Sequence, residues 1–167
     1  MNKEKHKIIV ENIKKHPKIE KAVIFLEAAA PKPIMIIFYG MLIYLAIGLD
    51  IRVIPCAVIP WAVFFLATVI SKKLNFKRPF EELDFEPITP HSKGRSCPSR
   101  HASSSAVITT AAAYINPDLG AVTAFFAVIV CATRVLAGVH YIRDVLLGII
   151  IGGGLGSIAF FMVSKFI

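Results

Sequence analysis

The chain has 167 residues, 56% hydrophobic and 18% charged, with a formal net charge of +8. That length suggests one domain, and a mean hydropathy of +0.67 excludes an ordinary soluble one. The positive charge fits lysine-rich flanks of membrane segments. No aromatic-basic interleaving or nucleic-acid motif is present, so no nucleic-acid partner is expected.

Residues 1–32 form a basic amphipathic unit. Lys3, Lys5, Lys7, Lys14, Lys15, Lys18 and Lys21 alternate with Ile8, Ile9, Ile13, Ile19 and Val23. This predicts one or two helices, broken near Pro17, lying on an anionic membrane surface. Such a charged start is no signal peptide. Pro31-Lys32-Pro33 then punctuates the chain.

Residues 33–167 predict an all-α integral membrane bundle of about five transmembrane helices. The expected spans are Pro33–Leu49, Val53–Ile70, Ala102–Ile115, Leu119–Val139 and Val145–Val163. A spanning helix needs roughly 20 mostly apolar residues. The first, second and fifth meet that plainly, and the milder third and fourth fit helices that face a bundle interior. Gly148, Gly152 and Gly156 in the fifth recur at the small-xxx-small spacing of close helix packing. They lack the Lys-Ser/Thr pair of a phosphate loop. Cys56 and Cys131 lie inside spans, so the cysteines imply no disulfide framework, and Cys97 reads as small apolar filler.

The connectors are unequal. Asp50–Arg52 and Asn116–Asp118 are minimal, whereas 71–101 is a long loop of the kind that often carries function. Alternating spans place that loop and the His140–Asp144 connector on one face, and the polar chemistry gathers there. The N-terminal lysines would make that face cytoplasmic by the positive-inside rule. Its own cations have a chemical explanation and carry no topological weight, so either side of the membrane is open.

Arg134, near the end of a span, is a functional candidate because a charge inside a membrane is expensive. His140 and Asp144 are four apart, which on a helix puts them on one face. The carboxylate can then hold one imidazole nitrogen and leave the other as a free base. Arg78 offers a planar fork suited to phosphate, with Lys72 and Lys73 as nearby point charges. Pro98 and Ser99 are helix-start residues, and the free N–H groups there make an anion site with His101 in the first turn. Singly, each element has an ordinary structural reading. Together they suit a tetrahedral anion carried by a membrane-dwelling molecule.

The order Arg78-Pro79, then Pro98-Ser99-Arg100-His101, then Thr133-Arg134 with His140 and Asp144 resembles the type 2 phosphatidic acid phosphatase superfamily. The family pattern is Lys, six residues, Arg-Pro; Pro-Ser-Gly-His; and Ser-Arg, five residues, His, three residues, Asp. This sequence departs in three places. Ser71 stands where the lysine is expected, so Lys72, one place later, is the preferred substitute. Arg100 replaces the glycine, and Thr133 replaces the serine. The resemblance implies that His140 attacks phosphorus to form a phosphohistidine, that Asp144 orients it, and that His101 protonates the leaving oxygen. It also implies that Arg78, Arg134, Lys72 and the Ser99–Arg100 backbone hold the phosphoryl oxygens. No metal or other cofactor is required.

The expected function is a multi-pass cell-membrane phosphatase. Its substrate would be a lipid phosphate or diphosphate: phosphatidylglycerophosphate, phosphatidate or a polyprenyl diphosphate. The expected partners are that lipid and the surrounding membrane lipids. The alternatives are a non-catalytic lipid-binding or transport protein that keeps the pocket, a vanadium haloperoxidase, and a metal site built from His91, His101, His140 and Asp144. That last set has no zinc-ligand spacing. Oligomeric state is not written in the sequence.

Overall fold

The computed structural model describes residues 3–167. The described residues form helices α1 (Lys3–Lys14), α2 (Pro17–Ala29), α3 (Pro31–Ile47), α4 (Val53–Leu74) and α5 (Pro79–Glu82). These are followed by α6 (Arg100–Ile115), α7 (Pro117–Leu136), α8 (Ile142–Ile149), a π-helical turn (Ile150–Gly154) and α9 (Leu155–Val163). The all-helical bundle expected from the sequence is present, and its arrangement decides where the polar residues meet.

Four stretches are long and apolar enough to cross a membrane: Pro17–Ile47, Val53–Glu82, Pro117–Leu136 and Ile142–Val163. The expected third span is a helix, α6, but at 16 residues it falls short of a bilayer's hydrocarbon thickness. It has no need to be longer or more apolar. It packs against α3, α4, α7, α8 and α9, so protein rather than lipid surrounds it. Beside Val107 and Ile108, its buried face carries the small residues Ala102, Ser103, Ser105, Ala111 and Ala112, which let the neighbours approach closely.

The glycines of the last span make that approach possible. A Cβ on Gly152 would stand 2.1 Å from the Ser103 carbonyl oxygen, and one on Gly148 would stand 2.6 Å from that of Ser99. Gly154 has nothing within 4 Å. Gly152→Ala is therefore expected to destabilise the bundle by about 1–3 kcal/mol through overpacking against backbone that cannot yield. Gly154→Ala should leave it unchanged. Thermal unfolding in detergent micelles checks the pair.

The N-terminal half differs from the expectation in one respect. Ala30 has helical dihedrals (φ −62°, ψ −31°), so α2 runs into α3 and Pro17–Ile47 forms one apolar stretch. Pro31 and Pro33 begin a helix rather than stop one, since proline in a first helical turn lacks an N–H that would be unpaired anyway. The consequence is that Glu27 lies buried in the bundle. Helix α1 lies across the end of the bundle with Ile8 and Ile9 exposed, as an interfacial helix requires, and His6 and Val10 buried. Val10 packs with Val23, Ile88, Ala137 and Val139. His6 Nε2 donates to the Val135 carbonyl at 2.8 Å, Lys7 to the Leu83 carbonyl at 3.1 Å, and Lys14 pairs with Glu86 at 2.7 Å. Part of the lysine content of α1 thus anchors it to the 83–86 loop, while His6 and Val10 brace the end of α7 and the turn after it.

Candidate active site

The α7–α8 turn positions the central histidine. Helix α7 stops at Leu136, and Gly138 takes a left-handed φ of +78°. A side chain at 138 would also meet the Phe85 ring at 2.7 Å, so glycine is required twice over. The reversed chain hangs on the Arg134 carbonyl, which accepts the N–H groups of Val139 (3.3 Å) and His140 (3.2 Å). His140 is buried, 4% exposed.

His140 and Asp144 come together, though not as neighbours on one helix face. Helix α8 begins only at Ile142, so His140 stands before it and Asp144 in its first turn. The carboxylate folds back over the helix start instead. Its Oδ2 accepts the Tyr141 backbone N–H at 3.0 Å and the Ser96 hydroxyl at 2.5 Å, and lies 3.9 Å from His140 Nδ1. The backbone carbonyl of Asp144 accepts the Ser99 N–H at 2.9 Å, which ties the start of α6 to the start of α8.

The other imidazole nitrogen fixes the tautomer. Arg78 Nη1 lies 3.3 Å from His140 Nε2. A guanidinium can only donate, so Nε2 carries the lone pair and the proton sits on Nδ1, facing Asp144. Burial holds the imidazole below the ordinary histidine pKa, opposed by the Asp144 carboxylate. The residue is therefore a neutral base at neutral pH. Arg78 is itself held by the carbonyls of Gly94 (3.0 Å, from Nε) and Val139 (3.1 Å, from Nη1). Glu81 shapes the loop around it, accepting the N–H groups of Arg78 (3.0 Å) and Gly94 (2.6 Å).

Helix α6 starts beside this centre. Ser99 caps it and is fully buried, its Oγ accepting the Ala102 N–H at 3.5 Å. Because the Ser99 N–H is already paired with Asp144, the donors left for an anion are the N–H groups of Arg100 and His101, which open the helix. The Arg100 side chain is half-buried and close enough for its charge to act on Arg78. His101 is exposed on one side, and desolvation, reinforced by Arg134 and Arg100, pushes its imidazole down to about 3. Arg134 is buried and pairs with Glu27 at 2.8 Å.

The lysine expected here is not buried with the site arginines. Lys72 and Lys73 are exposed in the last turn of α4. Ser71, roughly 100° round the helix, is the buried residue there, its hydroxyl donating to the Arg95 carbonyl at 3.1 Å. Lys72, one place further along α4 and so rotated from Ser71, is turned outward. Cys97 is buried, and burial pushes its thiol up to about 11, so it behaves as filler. Among the described residues no three His, Cys, Asp or Glu side chains are placed to share a metal ion.

Glu27, Ser96 and Glu81 contact the site residues and carry no site signal in the sequence, while His91, weighed there only as a metal ligand, instead meets Arg134. A serine in a serine-containing loop and a glutamate in a basic segment carry no local signal. The one available clue was Glu27, a carboxylate on the edge of an apolar run.

A face with three arginines, an oriented neutral histidine and an open helix N-terminus can hold a phosphoryl group against a nitrogen nucleophile. Residues 52–167 match the PAP2 superfamily, and the chain belongs to that superfamily. It is a multi-pass membrane protein by its apolar helices. Among solved structures it is similar to Aquifex aeolicus LpxE, with 23% identity over 93% of this chain and 92% of that one and a TM-score of 0.73. It also matches the first transmembrane PAP2-type phosphatidylglycerolphosphate phosphatase from Bacillus subtilis, at 23% identity over 96% and 91% of the chains and a TM-score of 0.46. No curated protein matches the sequence.

Proposed function

We propose that the protein is a membrane phosphatase that removes phosphate from a lipid phosphate or lipid diphosphate through a phosphohistidine. The observation that carries this reading is the tautomer of His140: its proton faces Asp144 and its lone pair faces the guanidinium of Arg78.

A phosphoryl group entering between Arg78 and His140 takes over the guanidinium as its own partner and frees the Nε2 lone pair. Nε2 then attacks phosphorus, and the imidazole becomes cationic beside Asp144. His101, at the open edge of the site, takes up a proton when the anionic headgroup offsets the arginines around it, and gives that proton to the departing lipid oxygen. It then takes a proton from the water that cleaves the P–N bond, releasing phosphate and restoring His140. Arg78, Arg134, Arg100 and the first N–H groups of α6 stabilise the charge that spreads over the phosphoryl oxygens. Dividing hydrolysis between two displacements lowers each barrier.

The position of the site supports a lipid substrate. His101 and Arg100 begin a helix embedded in the bundle, while the apolar outer residues of α3 and α4 (Ile36, Ile43, Trp61 and Phe65) are exposed and belong in the acyl region. A headgroup can therefore reach the cations while its chains stay in the bilayer. Phosphate release from phosphatidylglycerophosphate, phosphatidate and undecaprenyl diphosphate in mixed micelles, without divalent metal, tests the reading. Turnover of at least one is expected, and their relative rates identify the substrate class. No release from any member of a broad phospholipid and isoprenoid panel would favour a lipid-binding protein that keeps the pocket.

A further inference from the structure

The Nη1 hydrogens of Arg134 can be assigned, as those of Arg78 can. The Arg134 nitrogen carries two. One points at Glu27 Oε1, 2.8 Å away, and the other at His91 Nε2, 3.1 Å away. His91 can accept there because its Nδ1 faces the Thr89 carbonyl at 3.1 Å. A carbonyl only accepts, so the His91 proton lies on Nδ1 and Nε2 presents a lone pair. Burial lowers the His91 pKa and keeps the ring neutral, against the pull of Glu27 and with the help of Arg134 and Arg78. The two residues thus occupy both hydrogens of one guanidinium nitrogen.

What remains is Nε–H and Nη2. Arg134 Nε is buried and has no hydrogen-bond partner in the protein, an expensive arrangement for a charged donor unless a ligand completes it. Nε–H and the adjacent Nη2–H form the side edge of the guanidinium, the edge that grips two oxygens of an oxyanion at once. Glu27 comes from α2, 107 residues away in sequence, and His91 from the loop before α6. Both reach Arg134 from the side opposite that free edge.

We infer that Glu27 and His91 are positioning residues that turn the Nε–Nη2 edge of Arg134 toward the phosphoryl group. The inference rests on the proposed reading of Arg134 as an oxyanion ligand. Glu27 has a second effect, since its charge offsets Arg134 while the site is empty. A buried arginine with no counter-ion would otherwise be drawn toward solvent.

The test compares each residue with an acceptor-keeping and an acceptor-removing replacement: Glu27→Gln against Glu27→Leu, and His91→Gln against His91→Leu. Binding of orthovanadate and inorganic phosphate is measured by calorimetry on the full chain in micelles, alongside KM and kcat for the best lipid substrate. Each leucine variant is expected to weaken anion binding and raise KM about tenfold or more, the loss of one well-made bidentate contact, with kcat changed much less. Each glutamine variant is expected to recover most of that affinity. Folded leucine variants that bind orthovanadate like the wild type would overturn the inference, as would glutamine variants as impaired as the leucine ones. Wild-type protein that binds neither anion would also overturn it. Should Glu27→Leu fail to fold, the His91 pair decides alone, because His91 lies on a loop. A wild type without phosphatase activity that still shows the glutamine–leucine pattern would refute the phosphatase reading and support this one.

Discussion

His140→Ala is expected to lower phosphate release by at least about 10⁴-fold, because it removes the proposed nucleophile of the two-step displacement. Steady-state release from the best lipid substrate measures the loss, and acid-labile, base-stable ³²P on the wild-type chain, absent from the variant, locates the intermediate. The size of the effect follows from the surroundings. His140 is nearly excluded from solvent, its Nε2 lone pair has only Arg78 as a partner, and no other described histidine presents a nitrogen against both Arg78 and Asp144. His101 cannot substitute, because it sits across the site with no carboxylate partner. Its replacement should slow departure of the lipid oxygen rather than abolish the site. A variant that kept the wild-type rate would leave hydrolysis possible and end the phosphohistidine mechanism.

Asp144→Asn is expected to cost about 10²–10⁴-fold in kcat with a small change in KM, the pattern of a residue that sets a tautomer and stabilises an imidazolium. The carboxylate serves three groups. Oδ2 accepts from Ser96 and from the Tyr141 N–H and faces His140 Nδ1. An asparagine that keeps its oxygen on Tyr141 and Ser96 still presents that oxygen to Nδ1, but without the negative charge that stabilises the imidazolium. Asp144→Ala should add a folding defect, since the Ser96 hydroxyl and Tyr141 N–H would be buried unpaired at about 1–3 kcal/mol each. Comparing kcat with thermal unfolding for the two variants separates these effects. Equal activity in Asp144→Asn and wild type would remove Asp144 from the chemistry.

The residues that converge on His140 were legible in the sequence to different degrees, and the reason is local. Arg78, His140 and Asp144 lie in short blocks whose spacing already constrains them, and all three meet in the structure. The pairing of His140 with Asp144 was legible, but its cause was not. The sequence suggests a helix face, whereas the contact arises because Asp144 closes the first turn of α8 onto Tyr141. Lys72 shows the limit of reading along the chain. A cation one place from the expected position looks equivalent in one dimension, but on α4 it faces outward and Ser71 faces in.

By itself the sequence determined the membrane-embedded helical class, the polar end of the bundle and the blocks proposed to carry the chemistry. Those properties are set by composition, by apolar run length and by spacing within a few residues. Only the tertiary structure decided that α6 needs no lipid-facing length, that α1 braces the turn before His140, and that Glu27 and Ser96 belong to the site. Each of these depends on contacts between segments far apart in the chain. Glu27 meets Arg134 and Ser96 meets Asp144 because helices of fixed length cross a bilayer and return their ends to the same face, a consequence of packing that no local pattern encodes.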